Sequence, residues 1–294
     1  MKRFFYKNGI NNYIYVIPFA LFFITFLIYP IISNVYNSFF EWDGISPEKI
    51  WIGLQNYISM FKNNVFIISI KNNFIFLILT VLIEGLIGFI LAIFMNRKLF
   101  GRNIYRSIIF MPAIIAPVII GYTFGNMLNF TYGTLNELLR NIGLKFLALD
   151  WIGNPKLAIY TIIFINIWEW TGFSVVLYLA GLQNIPQELY DAAKIDGANY
   201  FQTISKITFP MLTSTHFSLI ILNSIGAIKI FDIVYVMTLG GPAHATEVLS
   251  THIFLEDFTL NHTGYSSAVS VFMLAIALII TFFQLRLYRR VRIQ

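Results

Sequence analysis

Two carboxylates, Glu84 and Glu169, lie inside long apolar runs, and four histidines, His216, His244, His252 and His262, are scattered along the second half of the chain. A carboxylate at membrane depth is costly, and it points by default to substrate, to a proton path or to a bond between helices. Glu84 stands beside Gly85 and Gly88, so a hydrogen bond to a closely packed neighbouring helix is the simpler expectation. Glu169 belongs to Asn166-Ile167-Trp168-Glu169-Trp170-Thr171-Gly172-Phe173. Sugars offer hydroxyls to carboxylates and amides and an apolar C–H face to rings, and a Trp-Glu-Trp cluster supplies both. Bundle packing and anchoring at the membrane interface would use the same residues. The histidines form no ligand-spaced cluster, so no metal site is expected. There is no cysteine, which excludes disulfides and thiolate chemistry. No G-x-x-x-x-G-K-[ST] occurs, so a nucleotide would have to bind a different polypeptide. Neither G-x-S-x-G nor H-E-x-x-H is present. The expectation is a chain with no catalytic residue, no cofactor and no enzymatic activity.

The elements that must hold these residues are membrane helices. Mean hydropathy is +0.72, with 57% hydrophobic and only 12% charged residues, against about 25% charge in soluble domains. A helix that crosses lipid needs about 20 mostly apolar residues. Six segments qualify, at 13–34, 72–95, 107–129, 157–182, 209–230 and 266–287. The expected fold is all-α and polytopic, one transmembrane domain over 1–294. The first segment is too long for a cleaved signal core and no small-x-small site follows it, so it reads as a retained span. The fifth carries Thr213, Ser214, Thr215, His216, Asn223 and Lys229 and must face protein or water along much of its length. Pro18, Pro30, Pro112 and Pro117 interrupt the first and third spans, while Gly85, Gly88, Ala92, Gly172 and Gly181 permit close helix contact.

Basic residues set the orientation. Lys2, Arg3, Lys7, Arg97, Lys98, Arg102, Arg106, Lys194, Lys206, Arg286, Arg289, Arg290 and Arg292 all fall on one side if the N-terminus is cytoplasmic. Most acids, among them Glu41, Asp43, Glu137, Asp150, Asp232 and Glu247, then fall outside. The surplus of six positive charges is therefore a topology signal and not a nucleic-acid footprint. An even span count places both termini in the cytoplasm.

One cytoplasmic segment, 184–208, is longer and more patterned than a connector. Pro186 suits the first turn of a helix and Glu188 its positive end. Leu189, Ala192 and Ala193 fall at i, i+3 and i+4 as a narrow apolar stripe. Gly197 is a natural stop, and a second short helix can begin near Asn199. The product is a helix–turn–helix knob whose small residues admit another protein's backbone, with Asp191 and Asp196 free to pair with its basic groups.

This loop resembles the EAA loop of permease subunits of binding-protein-dependent ABC importers, pattern E-A-A-x-x-x-D-G-A with a later I-x-L-P. Here it reads Asp191-Ala192-Ala193-Lys194-Ile195-Asp196-Gly197-Ala198, then Ile207-Thr208-Phe209-Pro210. Asp191 replaces Glu, Phe209 replaces Leu, and two residues instead of three separate the alanines from Asp-Gly-Ala. The stretches Trp51–Tyr57, Arg106–Pro112, Phe231–Pro242 and Ala245–Ser250 resemble the carbohydrate-uptake branch, its maltose-type first permease above all. The resemblance implies a type I ABC importer permease fold in a bacterial inner or plasma membrane. It implies a second permease as heterodimer partner, two ATP-binding subunits and an extracellular sugar-binding protein. It makes Glu188, Leu189, Asp191, Ala192, Ala193, Asp196, Gly197 and Ala198 the ATPase-coupling residues. Counted from Leu182-Gln183 and Pro210, the family's sugar-lining positions fall on Glu169, Trp170, Phe173, Asn223, Ala227 and Ile230. The rival expectation is a secondary transporter driven by an ion gradient, with Glu84 or Glu169 as proton carrier.

Overall fold

The computed structural model describes residues 15–97 and 100–293. Lys2, Arg3, Lys7, Lys98 and the start of the first expected span lie outside the described residues, as does the side chain of Arg292.

The described residues are helical except for turns and one two-stranded ladder. Four helices are long and apolar enough to cross a membrane: α1 (Ile17–Asn37), α2 (Asn64–Met95), α5 (Ala158–Gln183) and α10 (Thr263–Ile293). Two bent pairs bring the number to six if each pair is one span: α3 (Arg102–Ile114) with α4 (Pro117–Met127), and α7 (Tyr200–Met211) with α8 (Thr213–Ile228). The shorter helices α6 (Gln187–Ile195) and α9 (Asp232–Thr238) flank α7 and α8 in the chain.

The third and fifth expected spans are thus each broken, by 92° and 65°. The first break has a local cause. Ala116 precedes Pro117, and the proline ring drives the residue before it out of the helical region; Ile115 and Ala116 are extended, with ψ of 138° and 133°. Pro30 is absorbed without a break, whereas Pro210 stands just before the 65° bend. Wide π turns at Ile24–Ile28 and Ile204–Thr208 end two residues before Pro30 and Pro210. A proline lacks the N–H of the ladder and its ring crowds the carbonyl four residues back. A wider turn relieves that crowding.

The chain forms two compact units. In the first, residues 15–63 and 253–274, β1 (Phe40–Glu41) pairs antiparallel with β2 (Ile50–Trp51), Phe40 opposite Trp51. The Trp51–Tyr57 motif closes this corner. Asn56 donates to the carbonyls of Ser38 and Phe40, both at 2.9 Å, and the Tyr57 hydroxyl lies 2.8 Å from Ser38 Oγ. Asp43 folds its own turn, its carboxyl held down to about 2 by the Ser46 hydroxyl and the Ile45 and Ser46 amides. α1 is 0% buried along its apolar window, which leaves that surface for lipid or another subunit.

The second unit, residues 64–252 and 275–293, is built around α5, 67% buried along its window. Its glycines set the helix crossings. A Cβ on Gly172 would collide with the Ile109 carbonyl, and one on Gly88 would meet Ser174 Cβ at 2.8 Å. One on Gly181 would press on Thr215 Oγ1 and Leu212. Gly85 differs from expectation: nothing lies within 4 Å of its Cβ position.

Candidate functional site

The 184–208 segment folds as its turn chemistry dictates. Glu188 lies in the first turn of α6 and Lys194 in its last, each at the favoured pole of the helix. The C-terminus closes in a Schellman turn. The Ala198 N–H donates to the Ala193 carbonyl at 2.9 Å and the Gly197 N–H to Lys194 at 3.1 Å, with Gly197 at φ +75°. Asn199 then opens α7 with a capping box, its side chain and that of Gln202 bonding each other's backbone N–H at 2.9 and 2.8 Å.

The knob presents a different face from the one its stripe implies. Leu189 and Ala192 are exposed, but Ala193 is buried against its own chain. The apolar tip comes instead from Ile195 and Phe201, 86% and 80% exposed. Glu188, Asp191, Asp196 and Gly197 are exposed and Ala198 half-buried. Asp191 is paired within the helix, 3.7 Å from Lys194 Nζ, an exposed contact of little stabilising weight.

The second candidate site is a cavity of about 390 Å³ in the bundle. Its wall takes Glu84 from α2, Asn166, Trp170 and Phe173 from α5, Asn223 and Ala227 from α8, Lys229, Ile230 and Phe231 from the link into α9, and Asp232 from the first turn of α9. Trp170 and Phe173 meet edge to face at 6.2 Å. Five of the six lining residues expected from sequence share this wall. Glu169 does not. It is 0% exposed, off the cavity wall, and its carboxylate oxygens have no hydrogen-bond partner among the described residues. Trp170 follows it in the chain, but successive helix residues point about 100° apart, so only one of the pair can face the space. Glu84 makes the expected bond between helices, accepting from Ser174 Oγ at 2.5 Å, and also lines the cavity. Asn166 and Phe231 were missed, although both sit in stretches the sequence marks out.

The Gly-Gly-Pro turn is a structural device. Gly240 has φ +82°, and a Cβ there would strike the Glu247 carboxylate. Two asparagines on α2 pin the turn and its flanks. Asn72 donates to the carbonyls of Ala245 and Glu247, at 2.9 and 2.8 Å. Asn73 donates to Ala227 and Ile228 and accepts from the Leu249 N–H at 2.8 Å. The paired Asn72-Asn73, at the start of the expected apolar segment 72–95, was the available signal.

Apolar helices, two of them bent pairs, an exposed helical knob and a cavity of about 390 Å³ are the features expected of a membrane transport component. Residues 84–293 match the family described as binding-protein-dependent transport system inner membrane component. The chain belongs to that family. It is 35% identical to the probable ABC transporter permease YurN of Bacillus subtilis, over 96% of this chain and 97% of that protein. It is 33% identical to the trehalose/maltose transport system permease MalF of Thermococcus litoralis, over 97% and 96%. A bacterial ABC transporter involved in importing the acidic polysaccharide alginate has a chain of the same fold, with a TM-score of 0.81 and 26% identity over 95% of each chain. The protein is therefore an inner-membrane permease subunit of an ABC importer, and these similarities support that reading and not the ion-gradient transporter.

Proposed function

We propose that this chain is one of two paired permeases that carry a saccharide from an extracellular binding protein through the membrane, its 1–294 residues working as one transmembrane domain with both termini cytoplasmic. Two ATP-binding subunits grip the permease pair, and α6 with the tip of α7 is this chain's handle. The observation that carries the reading is the knob itself: a Schellman-closed helix with exposed Leu189, Ala192, Ile195 and Phe201, seated on the bundle through Tyr190, whose hydroxyl lies 3.3 Å from Thr208 Oγ1. Glu188, Asp191, Asp196, Gly197 and Ala198 shape that handle, and Ala193 fastens it from inside.

The saccharide occupies the 390 Å³ cavity, with Trp170 and Phe173 against its C–H face and Asn223, beside Ala227 and Ile230, on its hydroxyls. Two similar proteins supply the class: one is named for trehalose and maltose, the other for alginate. The unburied face of α1 suits the second permease.

The test is uptake of labelled trehalose, maltose and alginate oligosaccharides by the complex reconstituted in liposomes. Uptake of at least one that needs both ATP and the binding protein is the expected result. Uptake by the purified chain alone, driven by a proton gradient, would overturn the proposal.

A further inference from the structure

We infer that His216 is the joint that ties the coupling segment to the helix forming the cavity wall, so that motion of the knob moves the cavity. The inference rests on the permease reading above and adds a positioning residue to it.

His216 lies near the start of α8, just past the 65° bend. Its Nε2 is 3.1 Å from the carbonyl of Phe209, in the segment that leads from the knob into the bundle. A carbonyl only accepts, so Nε2 carries the hydrogen. In a neutral ring Nδ1 is then an acceptor, and the Tyr178 hydroxyl donates to it at 2.9 Å. One imidazole thus bonds α7 and α5 at once.

The bonds continue in both directions. Toward the knob, Phe209 follows Thr208, which the Tyr190 hydroxyl of α6 meets at 3.3 Å. Toward the cavity, Tyr178 lies one turn from Ser174, which donates to the cavity carboxylate Glu84. Phe89 packs against the joint, with its ring centre 5.6 Å from each of Tyr178, Phe209 and His216, while Phe209 lies 4.4 Å from His216. Apolar rings around two directional bonds make a contact with one arrangement and no easy sliding. Packed elements of this kind pass a displacement on as a unit.

Position alone does not establish coupling, so the test reads transmission directly. The chain has no cysteine, so Ile225→Cys on the cavity wall is its single thiol, and the label is read on this chain after the subunits are separated. The complex, purified with its own partner subunits, is labelled with a maleimide in the presence and absence of Mg-ATP. In the parent, ATP changes the labelling rate. His216→Phe keeps a ring of similar size but no hydrogen bonds; it is expected to shrink that change about fivefold or more, while the complex still hydrolyses ATP. His216→Gln, whose amide can again reach the Phe209 carbonyl, should restore a substantial part. Tyr178→Phe, lacking one hydroxyl, should fall between.

An undiminished ATP-dependent change in His216→Phe would overturn the inference, as would Gln performing no better than Phe. If His216→Phe fails to assemble, Tyr178→Phe decides, and a parental response there overturns it. A parent reporter that ignores ATP while the complex hydrolyses it would overturn the inference too, whereas a chain that assembles with no ATP-binding subunit would count against the permease reading.

Discussion

Gly197 offers the sharpest perturbation of the coupling knob. It sits at φ +75°, and nothing lies within 4 Å of where a Cβ would be. A substitution therefore meets no clash inside the chain, and its intrinsic cost is backbone strain alone. Forcing an L-residue into the left-handed region costs roughly 1–2 kcal/mol, less for asparagine and more for a β-branched residue. That shifts the balance between a closed and a frayed helix end by about five- to thirtyfold. Fraying releases the two bonds to the Ala193 and Lys194 carbonyls and misdirects the Asn199 cap that starts α7. The assay is ATP-dependent uptake per assembled complex, corrected for the amount in the membrane. Activity should fall in the order Gly, Asn, Ala, Val. If Val matches Gly, the turn does not matter to coupling. If Ala outperforms Asn, side-chain volume in an ATP-binding subunit's groove is the controlling factor, and the backbone argument is refuted.

Trp170→Ala should raise the saccharide KM for stimulated ATP hydrolysis about tenfold or more, whereas Glu169→Gln should leave KM within about twofold because its carboxylate is off the cavity wall; the reverse pattern would return the Trp-Glu-Trp cluster to the substrate. Gly172→Ala places a Cβ against the Ile109 carbonyl, so purified complex should lose about 1–3 kcal/mol of stability through overpacking, and an unchanged melting temperature would contradict the crossing described here. Asn73→Ala leaves the buried Leu249 N–H without its acceptor, at a cost of about 1–3 kcal/mol; a melt indistinguishable from the parent would mean that the turn is held by other contacts.

Much was legible in the chain because it is decided locally. Spans follow from hydropathy windows, and lipid leaves an apolar 20-residue segment little choice but a helix. The knob follows from turn chemistry over a short stretch: Gly197 where a left-handed turn closes the helix and Asn199 with Gln202 to start again, while Pro186, expected in the first turn, sits one place ahead of it as the N-cap. Glu84 beside Gly88 announced a bond between helices, although not that the same carboxylate reaches the cavity. The tertiary structure alone decided where side chains point. Glu169 and Trp170 are neighbours in sequence, yet one is enclosed and the other faces open space. Ala193 turned inward, and Ile195 and Phe201 took the tip. His216 was one of several polar residues in the fifth expected span until the 65° bend brought the Phe209 carbonyl and the Tyr178 hydroxyl to its two nitrogens. Such outcomes depend on how closely α3 and α8 approach α5, which Gly172 and Gly181 permit across long stretches of chain. Local sequence sets whether a helix forms; which of its faces finds a partner is set by crossing geometry that no short window contains.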